Sequence, residues 1–142
     1  MTYDFVVHPS QCDFSNFTAW SSIREPSKVF VLLERVYSLF DRIAERRGVC
    51  KIETIGDTWM GVCGLPHPQR LHAVIMVRFA AEARDKFRSV VRELEPTLGP
   101  GTGDLEIRWG LNSGPVTAGV LRGQKARFQL FGDTGANKTL PA

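Results

Sequence analysis

The stretch from Lys51 to Pro66, KIETIGDTWMGVCGLP, constrains the fold more than any other segment. Two short apolar runs, Val49 to Ile55 and Trp59 to Cys63, are joined there through Gly56-Asp57. A Gly-Asp step between β-prone runs is a hairpin signal, because glycine takes φ > 0 without steric cost. Such a turn lifts Asp57 to the rim of a sheet, with Glu53 four residues back on the incoming strand. A carboxylate fixed at a strand end is a natural metal ligand; an aspartate that merely closes a turn is the competing reading.

Helical patterns flank the hairpin on both sides. Between Pro26 and Arg47, Val29, Leu32, Leu33, Val36, Phe40 and Ile43 recur at the spacing of one helical face. Pro26 suits the first helical position, Arg46 and Arg47 the last turn, and Gly48 the stop. The Glu/Arg/Lys face of this helix is read as solvated. Past the Leu65-Pro-His-Pro68 loop, a second helix is predicted from about Gln69 to Leu94, ended by Glu95-Pro96. His67 and His72 at its start are read as surface or capping residues.

Strands occupy the remainder. Asp4 to Val7 reads as a short strand that Pro9 interrupts. After the Gly/Pro loop Thr97 to Gly103, Leu105, Ile107, Trp109 and Leu111 alternate with Glu106, Arg108 and Gly110, the pattern of a strand with one buried face. Gly114 to Gly119 and Arg127 to Phe131 continue as strands, and GANKTLPA carries neither pattern. The order predicts an α+β sandwich of the ferredoxin-like βαββαβ kind, a mixed sheet with helices on one face. At 142 residues, residues 1–142 form one domain.

Composition narrows the function classes. The 43% apolar and 23% charged shares are those of a soluble globular protein. With 18 Lys+Arg against 15 Asp+Glu, the net charge of +3 is spread without a block or stripe. That balance tolerates a phosphorylated substrate and does not point to nucleic acid. No apolar run approaches the roughly 18 residues that a bilayer span needs, and no signal peptide is evident, so membrane contact is not expected of this segment. The expected location is cytoplasmic, as a free domain or as the cytosolic part of a larger membrane protein. Cys12, Cys50 and Cys63 lack CxxC spacing and read as reduced thiols.

A second carboxylate completes the chemistry. Asp13 precedes the small polar residues Ser15, Asn16 and Thr18, a composition that can turn backbone N–H groups toward an anion; Asp13 is equally readable as a helix N-cap. If the first strand lies beside the hairpin, Asp13 and Asp57 come from neighbouring strand ends. Two carboxylates so placed can bridge two hard divalent ions about 3.5 to 4 Å apart, as in-line displacement at phosphorus requires. Periodicity alone does not separate that pair from two turn-making aspartates.

The motifs resemble those of class III adenylate/guanylate cyclase catalytic domains. DFSNFT is similar to their first metal-binding element, KIETIGDTWMGVCGLP to their second, and IRWGLNSGPVTAGVL and FQLFGDT to their later strands, in the family's order. The resemblance covers Asp13 to Thr134. It implies that Asp13 and Asp57 bind two Mg²⁺ or Mn²⁺ ions and are the catalytic carboxylates, with Phe14 adding a backbone carbonyl. It implies that Ser15, Asn16, Phe17 and Thr18 hold the β- and γ-phosphates and that Arg108 contacts phosphate. Asn16 stands where the family has glycine, a substitution that Asn's tolerance of the left-handed region accommodates.

Glu53 falls at the main base-selecting position, which is Glu in guanylate-type members and Lys in adenylate-type members. A carboxylate accepts from the guanine N1–H and amino group, whereas adenine wants a donor at that edge. Gln129 falls at the second base-selecting position and matches neither type, though its amide can donate to guanine O6. The resemblance thus implies conversion of a nucleoside triphosphate, GTP favoured over ATP, to the 3′,5′-cyclic nucleotide and pyrophosphate for intracellular signalling. It also implies a homodimer, or a heterodimer with another cyclase domain, whose site lies between the two domains.

After Gly132-Asp133-Thr134, Ala136 and Leu140 stand where the family carries an Asn and an Arg, so the domain is expected to lack the family's C-terminal part. A catalytically inactive dimerisation or regulatory domain is the alternative function. A polymerase or diguanylate-cyclase-like palm is a third, disfavoured by the absence of a basic groove.

Overall fold

The computed structural model describes residues 2–52, 58–64, 69–111, 114–121 and 127–131, with side chains described over 14–52, 58–64 and 69–111. Its elements in order are β1 (Thr2–Ser15), α1 (Phe17–Ser22), α2 (Pro26–Arg47), β2 (Cys50–Lys51), β3 (Trp59–Cys63), α3 (His72–Leu98), a 3₁₀ turn (Thr102–Asp104), β4 (Glu106–Leu111), β5 (Gly114–Leu121) and β6 (Arg127–Phe131).

Strand β1 is the axis of the sheet. One of its edges pairs with β3 over His8↔Cys63 to Cys12↔Trp59, and β3 pairs outward with β2. On the other edge, Thr2 to Val7 pairs with β5 and Ser10 to Ser15 with β4, while β6 lies outside β5. Val7↔Gly114 and Ser10↔Leu111 belong to one register, since three steps along β1 match three steps back on the partner.

The α+β sandwich is as expected, but every described pairing is antiparallel where mixed directions were expected. The crossover through α2 leaves β2 running with β1, and the hairpin then reverses β3. The strand that comes to lie beside β1 is therefore the reversed one.

Pro9 does not interrupt the first strand, which runs unbroken from Thr2 to Ser15. Within that unbroken strand Pro9 is paired with Val62 of β3.

Helix α2 spans Pro26 to Arg47 as the periodicity predicts, and Gly48 closes it at φ 74°, a left-handed conformation that glycine adopts freely. Its inner face buries Leu32, Val36, Leu39, Phe40, Ile43 and Ala44.

Helix α3 departs from expectation at both ends. It begins at His72, where the Gln69 side chain accepts from the Leu71 N–H and the Gln69 carbonyl meets His72 Nδ1. It passes through Pro96 to Leu98 instead of stopping at Glu95. Burial of Leu98, a Gly99 N–H bond to the Glu95 carbonyl at 2.8 Å and an Arg24 Nε bond to the Leu98 carbonyl at 2.9 Å hold the last turn against the proline. Part of the expected loop, Thr97 and Leu98, is therefore helix, and Thr102 to Asp104 is a 3₁₀ turn.

The two long helices run antiparallel. Arg35 meets Glu93 at 3.0 Å and Arg47 meets Glu82 at 2.7 Å, with Arg46 and Lys86 also paired to Glu82. The core beneath them joins Phe14, Phe40, Trp59, Phe79 and Phe87, with Trp109 packed against it.

Candidate active site

The end of β1 is fixed by Phe14. Its ring is 4% exposed and lies 5.4 Å from Phe17, 6.2 Å from Tyr37 and 5.6 Å from Phe87, between centroids. Strand alternation then assigns positions 13 and 15 to the other face of the sheet. Asp13 pairs with Arg108 on β4, and Arg108 is exposed while its neighbour Ile107 is buried in the core. Position 13 and a guanidinium thus share one rung on the face turned from the helices.

The chain leaves β1 by a single left-handed residue. Asn16 sits at φ 64°, ψ 14°, caps α1 without a side-chain bond, and lets Trp20 N–H reach its carbonyl at 3.0 Å. The expected phosphate loop is consequently one turn residue followed by a short helix, with Ser15 half-buried, Asn16 and Thr18 exposed, and Phe17 tilted against Phe14 and stacked on Trp20. Asp13 is not the cap of this helix; Asn16 is.

Helix α1 is braced from behind. Trp20 Nε1 donates to Thr102 Oγ1 at 3.0 Å, and Thr102, wholly buried, donates to the Gly99 carbonyl at 2.8 Å. Arg24 lies over the Trp20 ring and donates to the carbonyls of Trp20, Leu98 and Pro100. These contacts tie the segment after β1 to the turn that feeds β4, so the two strands carrying Asp13 and Arg108 share one support.

Glu53 and Asp57 lie outside the described residues. The strands on either side of them are described: Lys51 pairs with Gly61, Ile52 N–H reaches the Met60 carbonyl at 2.9 Å, and Trp59 pairs with Cys12. The hairpin therefore abuts the Asp13 end of β1, as the sequence predicts.

Gln129 is placed elsewhere. It pairs with Gly119 on β5, and Gly119 pairs with Thr2, so eleven residue steps along β1, roughly 36 Å of strand path, separate its rung from Asp13. Within one chain the expected second base-selecting residue does not join the Asp13 group.

Among the described residues no cluster of three or more His, Cys, Asp or Glu could hold a metal. Cys63 is buried and Cys50 half-buried, both free, and burial pushes both thiols above their ordinary value of 9.0, with the Gly64 N–H partly opposing it at Cys63. No helix among the described residues is long and apolar enough to cross a membrane.

Comparison with known proteins decides the family. The family model described as "Adenylate and Guanylate cyclase catalytic domain" matches residues 11–139. The chain belongs to the adenylate and guanylate cyclase catalytic domain family. Among curated cyclases it is 38% identical over 123 residues to the rat guanylate cyclase soluble subunit beta-2, covering 86% of this chain and 17% of that protein. The guanylate cyclase domain of RhGC from Catenaria anguillulae, solved in complex with GTP, superposes with a TM-score of 0.79 at 37% identity, over 96% of this chain and 71% of that one. A dimeric guanylyl cyclase domain of the RhoGC fusion protein from Blastocladiella emersonii gives 0.80 at 34%, over 96% and 72%. The chain thus spans less than a fifth of the rat cyclase subunit.

Several residues that shape this candidate site were not singled out by sequence reasoning. Asp41, on the α2 face read as solvated, accepts from Trp59 Nε1 and Lys51 Nζ, each at 3.0 Å. Trp20, Arg24 and Thr102 form the brace behind α1. The one available signal was Asp41 itself, a short carboxylate mid-helix where longer charged residues are better helix formers.

Proposed function

We propose that this domain is a nucleotidyl cyclase that converts a purine nucleoside triphosphate, GTP favoured, to the 3′,5′-cyclic monophosphate and pyrophosphate. The observation that carries the reading is the pairing of Cys12 with Trp59, which joins the strand end next to Asp13 to the hairpin strand that begins two residues after Asp57. Two carboxylates and the Phe14 carbonyl form a hard oxygen donor set, which fits Mg²⁺ or Mn²⁺.

Asp13, Asp57 and the Phe14 carbonyl would hold two such ions. Bound there, such ions would supply Lewis-acid polarisation at the α-phosphorus and would acidify the attacking hydroxyl. In the reaction the ribose 3′-oxygen bonds to the α-phosphorus, the bond from that phosphorus to the β-phosphate oxygen breaks, and the 3′-hydroxyl proton is released. Backbone N–H groups of Ser15 to Thr18 and the Arg108 guanidinium bind the departing phosphates. Glu53 accepts from the guanine edge, and a site that pairs those donors rejects adenine by leaving a carboxylate unpaired.

Gln129 stands a strand-length from Asp13 in one chain, which favours a site shared between two domains: metal and phosphate groups from one, base contacts from the other. A homodimer would then carry two equivalent sites; a heterodimer with another cyclase domain fits the same logic. We place the domain on the cytoplasmic side, in intracellular signalling. Ala136 and Leu140, where the family carries Asn and Arg, favour a second reading as a catalytically silent dimerisation partner.

A mass-spectrometric product assay with GTP and ATP in separate reactions, each with excess Mn²⁺, tests this against Asp57→Ala. Cyclic GMP, lost in the variant, is the expected result. Cyclic AMP alone overturns the base assignment. No product from a folded dimer moves the function to the silent-partner reading.

A further inference from the structure

Asp41 grips both strands of the hairpin that bears Glu53 and Asp57. Its Oδ1 accepts from Trp59 Nε1 on β3 and its Oδ2 from Lys51 Nζ on β2, both at 3.0 Å. Lys51 lies two residues before Glu53 and Trp59 two residues after Asp57, so the clamp closes on the hairpin at both approaches to the turn.

The Trp59 side of the clamp is rigid. The indole is fully buried, stacks on Phe79 at 5.2 Å between centroids and meets Phe40 and Trp109 edge-on at 6.0 and 5.9 Å. A Cβ built on Gly61 would lie 2.6 Å from the Trp59 ring, so the ring rests directly on the β3 backbone and only glycine fits beneath it. A ring fixed in the core, lying on its own strand and hydrogen-bonded to α2, transmits the position of that helix to the strand. The Lys51 side is an exposed ion pair, 38% and 40% accessible at the two side chains, and holds more loosely.

We infer that Asp41 is a positioning residue for the metal and base sites, setting the height and tilt of the hairpin through Trp59 and Lys51. The inference rests on the assignment of Asp57 as a metal ligand. Groups that orient a ligand from behind typically change metal affinity ten- to a hundredfold, and Asp41, one step further back, is expected to act near the lower end.

The test uses Mn²⁺ alone as a paramagnetic probe of the ¹⁵N-labelled full chain, following the Mn²⁺ concentration that half-broadens the Gly56 and Phe14 amide signals. Asp41→Ala is expected to raise that concentration about tenfold and to move the Trp59 indole N–H resonance, while the remaining core resonances stay in place. Asp41→Asn keeps an acceptor for the indole and is expected to restore most of the affinity; Lys51→Met should give a smaller rise than Asp41→Ala. In the nucleotide assay the same ordering should appear in the Mn²⁺ dependence of kcat, with KM for nucleotide changed less. An Asp41→Ala midpoint equal to that of the unmodified chain, with only thermal stability lowered, overturns the inference alone. Absence of broadening at Gly56 and Phe14 in the unmodified chain overturns the metal-site assignment, and the inference with it.

Discussion

Asp13 on β1 and Arg108 on β4 are partners on one rung of the sheet, two rungs from its end at Ser15 and Glu106. In the proposed reaction the rung joins a metal-binding carboxylate to a phosphate-binding cation, so the two substitutions should fail differently. Arg108→Met should raise KM for the Mn²⁺-nucleotide by about tenfold or more, since a hydrogen bond to a charged group contributes about 1.5–3 kcal/mol. Asp13→Asn should instead lower kcat by at least about a hundredfold, because a group aimed at developing charge is lost. Arg108 is exposed, so its loss should leave the urea midpoint nearly unchanged. Equal loss of kcat in both variants would remove Arg108 from phosphate binding.

The brace behind α1 makes a stability prediction. Thr102 accepts from Trp20 Nε1 and donates to the Gly99 carbonyl, wholly buried. Thr102→Val keeps the shape but strands a buried indole N–H, at a cost of about 2–3 kcal/mol, whereas Thr102→Ser keeps both bonds and should cost under about 1 kcal/mol. Urea denaturation separates them. Combining Trp20→Phe with Thr102→Val should cost less than the sum of the two single changes by about 1 kcal/mol. Strict additivity would mean that the bond contributes nothing.

Local patterns carried most of the fold. Helix α2 was legible because amphipathic spacing, Pro26 and Gly48 all agree on its bounds. The strand before Asp13 was not, because Pro9 is a local breaker, and its place in a strand paired with β3 is a tertiary fact. Pro96 misled for the same reason: the burial of Leu98 and the reach of Arg24 from the link between α1 and α2 outweigh a local preference. Within the site, the Asp13 and Arg108 rung follows once the strands are ordered. The Asp41 clamp does not, since a short carboxylate mid-helix is only a weak signal and nothing local says that it bonds ten and eighteen residues onward.

The cysteines give a pH prediction. Burial raises both Cys50 and Cys63, and the thiolate is the reactive form, so alkylation at pH 8 should be slow at both and accelerate only as pH rises past 9.0. Cys63, 1% exposed, should label only on unfolding, after Cys50. The linkage has the same sign. Thiols ionise at lower pH in the unfolded chain, so their contribution to stability is intact below the ordinary value and is lost as pH rises through the raised folded values. Rapid labelling of Cys63 under native conditions at pH 7, followed by mass spectrometry, would contradict its burial.

Asn16 tests whether the turn after β1 is a backbone requirement or a side-chain contact. It is the one non-glycine residue at positive φ among the described residues, at 64°, and its side chain caps nothing. What asparagine provides there is tolerance of the left-handed region, where other L-residues pay about 1–2 kcal/mol. Asn16→Gly should therefore hold the urea midpoint within about 0.5 kcal/mol and retain cyclic nucleotide formation. Asn16→Val, β-branched, should lose about 2 kcal/mol and raise KM for nucleotide, because the strain is relieved by moving the N–H groups of Phe17 and Thr18 away from the phosphates. Asn16→Ala should fall between the two on both measures. An Asn16→Gly protein that is fully folded yet inactive would show that the amide itself touches the nucleotide, and the conformational account of this residue would fail.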